Sequence, residues 1–277
     1  PNVRMGAGMP VVLFEHNVEH LIWKRLATHE LRPIHRVLLN IEAWKMRRRE
    51  AIACRQADLT IAVSDTDADR LREISPAARL VSTATGVDTD YFLPAGAPAS
   101  DHSLVFTGSL DWFPNEDAIL HFLSAILPQI RAAVPDTTVT FVGRNPSAKL
   151  QAAVRNVAGA RLTGTVDDVR PYVRDGAVFV VPLRIGSGTR LKIFEALAMG
   201  KAVVSTTVGA EGLGLDHGAH FLQADTPADF ASAVISLLRD PQRRDALGTA
   251  ARDLVESRYS WPKVTRQFEQ FIQPVAG

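Results

Sequence analysis

The chain has 277 residues, 46% hydrophobic and 22% charged, with 31 Lys and Arg against 30 Asp and Glu for a formal net charge of +1. That length suits one large or two ordinary α/β domains, and the balanced charge argues against a nucleic-acid protein held mainly by electrostatics. The single cysteine, Cys54, leaves no intrachain disulfide and no cysteine-rich metal site, and no apolar run approaches the ~20 residues of a membrane span.

Residues 11–14 form a short apolar run, read as a strand, with Glu15-His16-Asn17-Val18-Glu19 at its carboxyl end. Residues 19–56 have helical character, with a break near Pro33. Arg47-Arg48-Arg49 in that stretch reads either as a solvated helix face or as a patch for a membrane surface or an acidic partner. A strand over 59–63 leads to Ser64, which caps a short helix through residue 74. A further strand over 80–85 ends in Gly86-Val87-Asp88-Thr89-Asp90-Tyr91-Phe92. The stretch 94–100, rich in Pro, Gly and Ala, marks a linker and a domain boundary. From there, strands at 104–107, 139–142, 161–163, 178–181, 202–205 and 220–222 alternate with helices that include 115–133, 148–156, 190–199 and 228–238. Apolar strands alternating with helices imply a parallel sheet covered on both faces. Helices near 242–257 and 262–272 follow, with Ser260-Trp261-Pro262 as a start signal. The chain begins at Pro1 with a buried-type strand close behind, so the expectation is that part of the natural protein precedes it.

Ligands of an open α/β sheet bind beyond the carboxyl ends of its strands. Four strand ends here carry small or glycine-rich turns: Thr107-Gly108-Ser109, Val142-Gly143-Arg144-Asn145, Thr163-Gly164-Thr165-Val166 and Gly186-Ser187-Gly188-Thr189. One such turn serves a tight bend as readily as a ligand; four on one edge favour a nucleotide-sized cleft. The fourth opens a helix that starts with Arg190 and Lys192. Cations there oppose the helix macrodipole, while phosphate at a helix N-terminus would answer them. At 100° per residue Lys192 and Glu195 lie about 60° apart. Lys192 then points toward a phosphate held by the N–H groups of Thr189 and Arg190, and Glu195, one turn deeper, suits the paired hydroxyls of a ribose. The plainer alternative is a surface ion pair of these two residues. His16 and His20 lack a third ligand of suitable spacing, so no metal site is read there, and Asp88 with Asp90 is explained by turn capping.

These elements in this order resemble the retaining glycosyltransferases of family 4, over nearly the whole chain. The resemblance is carried by residues 86–92 with Pro94, by Phe106-Thr107-Gly108-Ser109-Leu110 with Pro114-Asn115, by the 180–204 block and by Arg258-Tyr259-Ser260-Trp261. It implies an α/β fold of the GT-B type, two Rossmann-like parallel-sheet domains facing a cleft, the first incomplete. The divisions it implies are 1–97, 98–257 for the donor domain, and 258–277 returning toward the first. Glu195 aligns with the second glutamate of the family's Glu-x7-Glu motif, whose first falls at Ser187. The Arg and Lys of many members after the first strand of the second domain are not evident, and Arg184, Arg190 and Lys192 are expected to take over their charge. Donor binding is implied for Gly108, Ser109, Arg184, Gly186, Ser187, Gly188, Thr189, Arg190, Lys192 and Glu195, with Arg144 and Val166 near the base. Catalytic roles are implied for His16, facing the donor across the cleft, and for Lys192 and Glu195. The implied reaction moves a sugar from a nucleotide diphosphate to an acceptor hydroxyl with retention of configuration, without cofactor or metal. The acceptor would be a glycan, a lipid-linked molecule or a small molecule, in cell-surface glycan or polysaccharide synthesis. The implied location is cytoplasmic, with peripheral contact at the inner membrane surface and no nucleic acid partner. A nucleotide-sugar-binding module without transfer is the alternative; an epimerase of the same fold would need acid/base carboxylates that the sequence does not offer.

Overall fold

The computed structural model describes residues 9–94, 98 and 100–276. The first part of the chain runs β1 (Val12–Glu15), α1 (Glu19–His29), α2 (Pro33–Gln56), β2 (Leu59–Ala62), α3 (Asp65–Ile74) and β3 (Leu80–Ser82). These strands form a parallel sheet in the order β1-β2-β3. Pro33 begins α2 rather than kinking one long helix, because a proline at the first helical position loses no intrahelical hydrogen bond. Ser64 caps α3 as its sequence context implies, its hydroxyl accepting from the Asp67 N–H at 3.0 Å. Asp88 is also a cap, accepting from the N–H groups of Asp90 and Tyr91 at 3.1 and 2.9 Å.

The second part runs β4 (Ser103–Thr107), α4 (Phe113–His121), a π-helical turn (Phe122–Ile126), α5 (Leu127–Ala133), β5 (Thr138–Val142), α6 (Ala148–Arg155), β6 (Ala160–Leu162), α7 (Arg170–Asp175), β7 (Val178–Val181), α8 (Leu191–Ala198), β8 (Ala202–Ser205), α9 (Thr207–Ala210), β9 (Leu222–Gln223), α10 (Pro227–Arg239), α11 (Pro241–Arg258) and α12 (Trp261–Ala276). Its six strands are all parallel, in the order β6-β5-β4-β7-β8-β9. The helix expected over 115–133 is thus interrupted by a π-turn just before Pro128, which has no N–H to continue the ladder. Both faces of the sheet are covered. Phe106, Phe122, Phe141 and Phe230 anchor one core, with Phe122 edge-on to Phe141 and Phe230 at 6.3 and 6.4 Å. Phe179, Phe194 and Phe221 anchor the other.

Strand order reverses direction between β4 and β7, so the connections from these neighbours leave on opposite sides and open a crevice at their carboxyl ends. The two parts of the chain touch there. Ser187 Oγ, after β7, accepts from the Val18 N–H at 2.8 Å, and Thr189 Oγ1 donates to the Val63 carbonyl at 3.3 Å. Gly188 has φ +74°, and a Cβ on it would collide with the His16 carbonyl, so both its conformation and its neighbour require glycine. Arg25 of α1 and Arg70 of α3 converge on Glu211, which follows α9. Burial works to raise the Glu211 pKa, but the hydrogen bonds from the two guanidiniums overcome it and hold it at about 2. On the far side α12 returns to the first sheet, with Phe268 edge-on to Phe14 at 5.7 Å.

Candidate functional site

The turn after β4 and the helix after β7 build the floor of the crevice. A groove of about 380 Å³ is lined by Gly108, Ser109, Arg144, Val166, Lys192 and Glu195 among others. A second groove of about 280 Å³ is lined by Asn17, Trp112, Asn115, Gly186, Ser187, Thr189 and Arg190, with Lys192 again. Lys192 is the residue the two grooves share, and Asn17 is a contribution from the first sheet's side of the crevice.

Lys192 stands in the first turn of α8. Its ammonium lies 4.0 Å from the Phe106 ring centroid and donates to Asn115 Oδ1 at 2.9 Å. Asn115 is itself fixed, since its Nδ2 donates to the Ser109 carbonyl at 2.8 Å. A Cβ at Gly108 would sit 2.6 Å from Lys192 Nζ, so glycine lets the cation approach the strand end. Burial, reinforced by the charge of Arg190, pushes the Lys192 pKa down to about 7. Glu195 follows at one turn's remove, half-buried, with no hydrogen-bond or ion-pair partner among the described residues. Burial raises its pKa against the pull of Lys192. These two residues do not form the surface ion pair that the sequence left open: both face the groove, and the lysine's partner is Asn115.

The turn before α8 offers main-chain donors. Among the described residues no acceptor pairs with the N–H groups of Ser187, Gly188 and Thr189. With the free N–H groups of a helix N-terminus they are donors of the kind that suit an anion. The hydroxyls of Ser187 and Thr189 each already have one partner across the crevice, Ser187 Oγ accepting from Val18 and Thr189 Oγ1 donating to Val63.

Three sequence expectations change. Arg184 is placed apart from the other expected donor residues: its guanidinium pairs with Asp117 at 2.6 and 3.0 Å, and it lines neither groove. Arg190 lies at the N-cap of α8 rather than inside the helix. Its guanidinium curls under the turn to the carbonyls of Ser187 and Gly188, the latter at 2.6 Å, leaving Nη2 buried without an acceptor. Burial, with the nearby Arg25 charge, lowers its pKa to about 10. His16 is exposed, its ring edge-on to Phe14 at 4.7 Å, and it lines neither groove; its carbonyl, packed on Gly188, is what meets the turn. Arg144 is exposed at the rim, with Nε donating to Ser109 Oγ at 3.1 Å.

Residues the sequence reading passed over are Asn115, Asn17, Arg25 and Glu211. The Pro114-Asn115 pair entered the sequence reading only as part of the family resemblance, and the others act through partners remote in sequence. Behind β1, Glu15 adjoins Glu19 and Glu50, and Glu50 accepts from His20 Nδ1 at 2.6 Å, so His20 is satisfied within the core. Burial, then Glu50 and Glu19, push the Glu15 pKa up to about 7. The folded chain therefore binds more protons than the unfolded chain between pH ~4.5 and ~7, and stability falls as pH rises through that window. Glu15→Gln is expected to raise Tm at pH 8 and to leave it nearly unchanged at pH 4, which thermal melts at the two pH values check.

Comparisons with known proteins show the family and the fold. The sequence profile of "Glycosyl transferases group 1" matches residues 101–240, and that of "Glycosyltransferase Family 4" matches residues 2–91. The alpha-maltose-1-phosphate synthase of Mycolicibacterium smegmatis is 26% identical over 308 residues, covering 98% of this chain and 74% of that protein. An uncharacterized 44.6 kDa protein in the cps region of Klebsiella pneumoniae is 25% identical over 169 residues, covering 58% of this chain and 44% of that one. The chain thus spans less than half of the Klebsiella protein and about three-quarters of the synthase. Among solved structures, sucrose-phosphate synthase from Thermosynechococcus elongatus superposes with a TM-score of 0.76 at 20% identity, over 95% of this chain and 67% of that one. Anabaena HepE in complex with UDP-glucose superposes with 0.71 at 16% identity, over 96% and 72%. The fold is α/β of the GT-B type.

Proposed function

The chain belongs to the group 1 glycosyl transferases, and on that premise we propose that it is the donor-binding machinery of a retaining transferase that moves a sugar from a nucleoside diphosphate to an acceptor hydroxyl. The observation that carries this reading is the meeting of Lys192, Glu195 and the unpaired N–H groups of Ser187 to Thr189 at the β4–β7 switch point. Glu195 receives the ribose hydroxyls, Val166 and Arg144 lie beside the base, and the diphosphate spans the turn toward Lys192. Arg190 braces the turn, and its buried unpaired Nη2 adds a positive field beneath the phosphates.

The chemistry follows from charge. As the bond from the sugar's anomeric carbon to the diphosphate breaks, negative charge grows on the leaving oxygens, and preorganised donors stabilise it where it develops. The acceptor oxygen bonds to the same face of that carbon, and its proton passes to the leaving phosphate. A double displacement needs two carboxylates about 5–5.5 Å apart, and Glu195 is the one carboxylate among the residues lining the two grooves, which supports the single-face route. With Lys192 placed to neutralise the phosphates, transfer is proposed to proceed without a metal ion. The acceptor is a glycan, lipid-linked or small molecule, in cell-surface glycan or polysaccharide synthesis at the cytoplasmic face of a membrane. No helix among the described residues is long and apolar enough to cross one.

A thermal-shift panel of UDP, GDP and ADP and their sugars, each with and without a chelator, tests the reading. A ligand at a hundred times its Kd stabilises by about 2.7 kcal/mol, on the order of 5–10 °C for a chain of this size. At least one nucleotide is expected to do so with the chelator present; no shift from any of them defeats the assignment. A turnover assay with the stabilising sugar nucleotide then separates a transferase from a module that only binds.

A further inference from the structure

Three consecutive carbonyls of the turn before α8 are held by two guanidiniums. Arg25 of α1 donates through Nη1 to the Gly186 carbonyl, and Arg190 donates through Nη1 to those of Ser187 and Gly188, the latter at 2.6 Å. The peptide bonds of the described residues are all trans. A trans peptide is planar, so its C=O and the next residue's N–H point in opposite directions. Gripping the carbonyls of Gly186, Ser187 and Gly188 therefore turns the N–H groups of Ser187, Gly188 and Thr189 away from the two arginines. Those are the same three N–H groups that find no acceptor among the described residues. Gly186, Ser187 and Gly188 are buried, and buried backbone N–H groups are nearly always paired. A run of three unpaired ones points to an acceptor that a ligand supplies.

The two grips differ in origin. Arg190 belongs to the turn itself, whereas Arg25 reaches it from 161 positions away, out of the first sheet's part of the chain. Its guanidinium is itself fixed: Nη2 donates to Glu211 Oε1 at 2.8 Å, Nη1 lies 2.8 Å from Oε2, and Arg70 of α3 holds the same carboxylate. A planar guanidinium can bridge a carboxylate and a carbonyl in one fixed geometry; an ammonium is a point charge on a flexible stem. The turn has further contacts with that part of the chain, the Val18 N–H on Ser187 Oγ and the His16 carbonyl against Gly188. Arg25 lines neither groove, so whatever it does for a ligand it does through the turn. We infer that Arg25 is a positioning residue for the diphosphate, holding the Gly186 carbonyl so that the Ser187 N–H is aimed at the ligand, while Arg190 aims the next two N–H groups. This rests on the proposed donor reading and deepens it, because part of the anion-binding geometry of the second sheet is then set by a side chain of the first part of the chain.

Two variants of the full chain test it, Arg25→Leu and Arg25→Lys; Arg70 still holds Glu211 in both, and the lysine variant carries the test should the leucine one fail to fold. The first readout needs no ligand. In carbonyl-detected NMR spectra of labelled protein, the Gly186 carbonyl carbon is expected to move upfield in each variant as its hydrogen bond is lost. The second is titration with UDP, GDP and ADP and with uridine, guanosine and adenosine. Both variants are expected to bind the diphosphate about 10- to 100-fold more weakly, the range for losing one hydrogen bond to a charged group, with binding of the matching nucleoside unchanged. An unmoved Gly186 carbonyl overturns the proposal. So does wild-type diphosphate affinity in Arg25→Lys, which would show that charge alone suffices, or an equal loss for nucleoside and diphosphate, which would make Arg25 a packing residue. Diphosphate binding by the wild type that neither variant weakens removes this role and leaves the donor reading standing. A wild type that binds no nucleotide defeats the donor reading and this role with it.

Discussion

Lys192→Met is expected to lower kcat by roughly 10²- to 10³-fold while leaving the fold at least as stable. In the proposed reaction the ammonium faces the leaving phosphate as it gains charge, and it is held in place by Asn115 and by the absence of a side chain at Gly108. The empty site carries a cost, since burial and Arg190 bring the Lys192 pKa to about 7, so near neutral pH the lysine is only partly charged. An arriving diphosphate restores the charge by drawing a proton onto Nζ. Binding is therefore accompanied by proton uptake above pH ~7, and the affinity for nucleoside diphosphate falls as pH rises, by at most about tenfold per pH unit. The stability argument has the opposite sign. Between the folded value near 7 and the unfolded value near 10.5, the unfolded chain binds more protons, so wild-type stability rises with pH across that window. Methionine, of similar length and without charge, should remove both pH dependences. Calorimetry in two buffers of different ionisation enthalpy, melts across pH and single-turnover rates read all three effects. A variant with wild-type kcat would show that the cation is structural.

Glu195→Gln is expected to weaken donor binding by about 10- to 100-fold, the range for losing charged hydrogen bonds to a pair of hydroxyls. The carboxylate has no hydrogen-bond or ion-pair partner among the described residues, so in the empty protein it caps and bridges nothing there. Burial raises its pKa, and the ionised form is accordingly disfavoured in the fold. The same substitution should then stabilise the empty protein at neutral pH, the pattern of a group kept for ligand rather than for fold. A 2′-deoxy nucleotide supplies the decisive control. It should bind the wild type more weakly, yet suffer little further loss in the variant, since both changes remove the same contact. Equal losses for the two nucleotides would place Glu195 away from the ribose.

How far the site was legible depended on the sequence range of each contact. Strand, glycine turn and helix after β7 follow from local pattern, and the pairing of Lys192 with Glu195 on one side of α8 follows from helix geometry alone. The conformation at Gly188 was readable from glycine's tolerance of positive φ; the carbonyl it accommodates was not, because His16 lies in the other sheet's half of the chain. Arginines proved least predictable. Arg184 finds Asp117 67 positions away, Arg25 finds Glu211 186 positions away, and Arg190 turns back on its own loop. A long flexible cation takes the best anion or carbonyl within reach, and reach is set by packing.

By itself the sequence determined the α/β alternation, the glycine turns at strand ends and the two residues of α8 that face the groove, because propensity, periodicity and helix geometry act over a few residues. Only the tertiary structure decided the strand order that opens the crevice between β4 and β7, the use of Asn115 to aim Lys192 and the pairing of Arg184 with Asp117. Each of these depends on which distant segments are brought together and which surfaces they cover, and the free energy of that choice is spread over the whole packed core rather than written in any local run of residues.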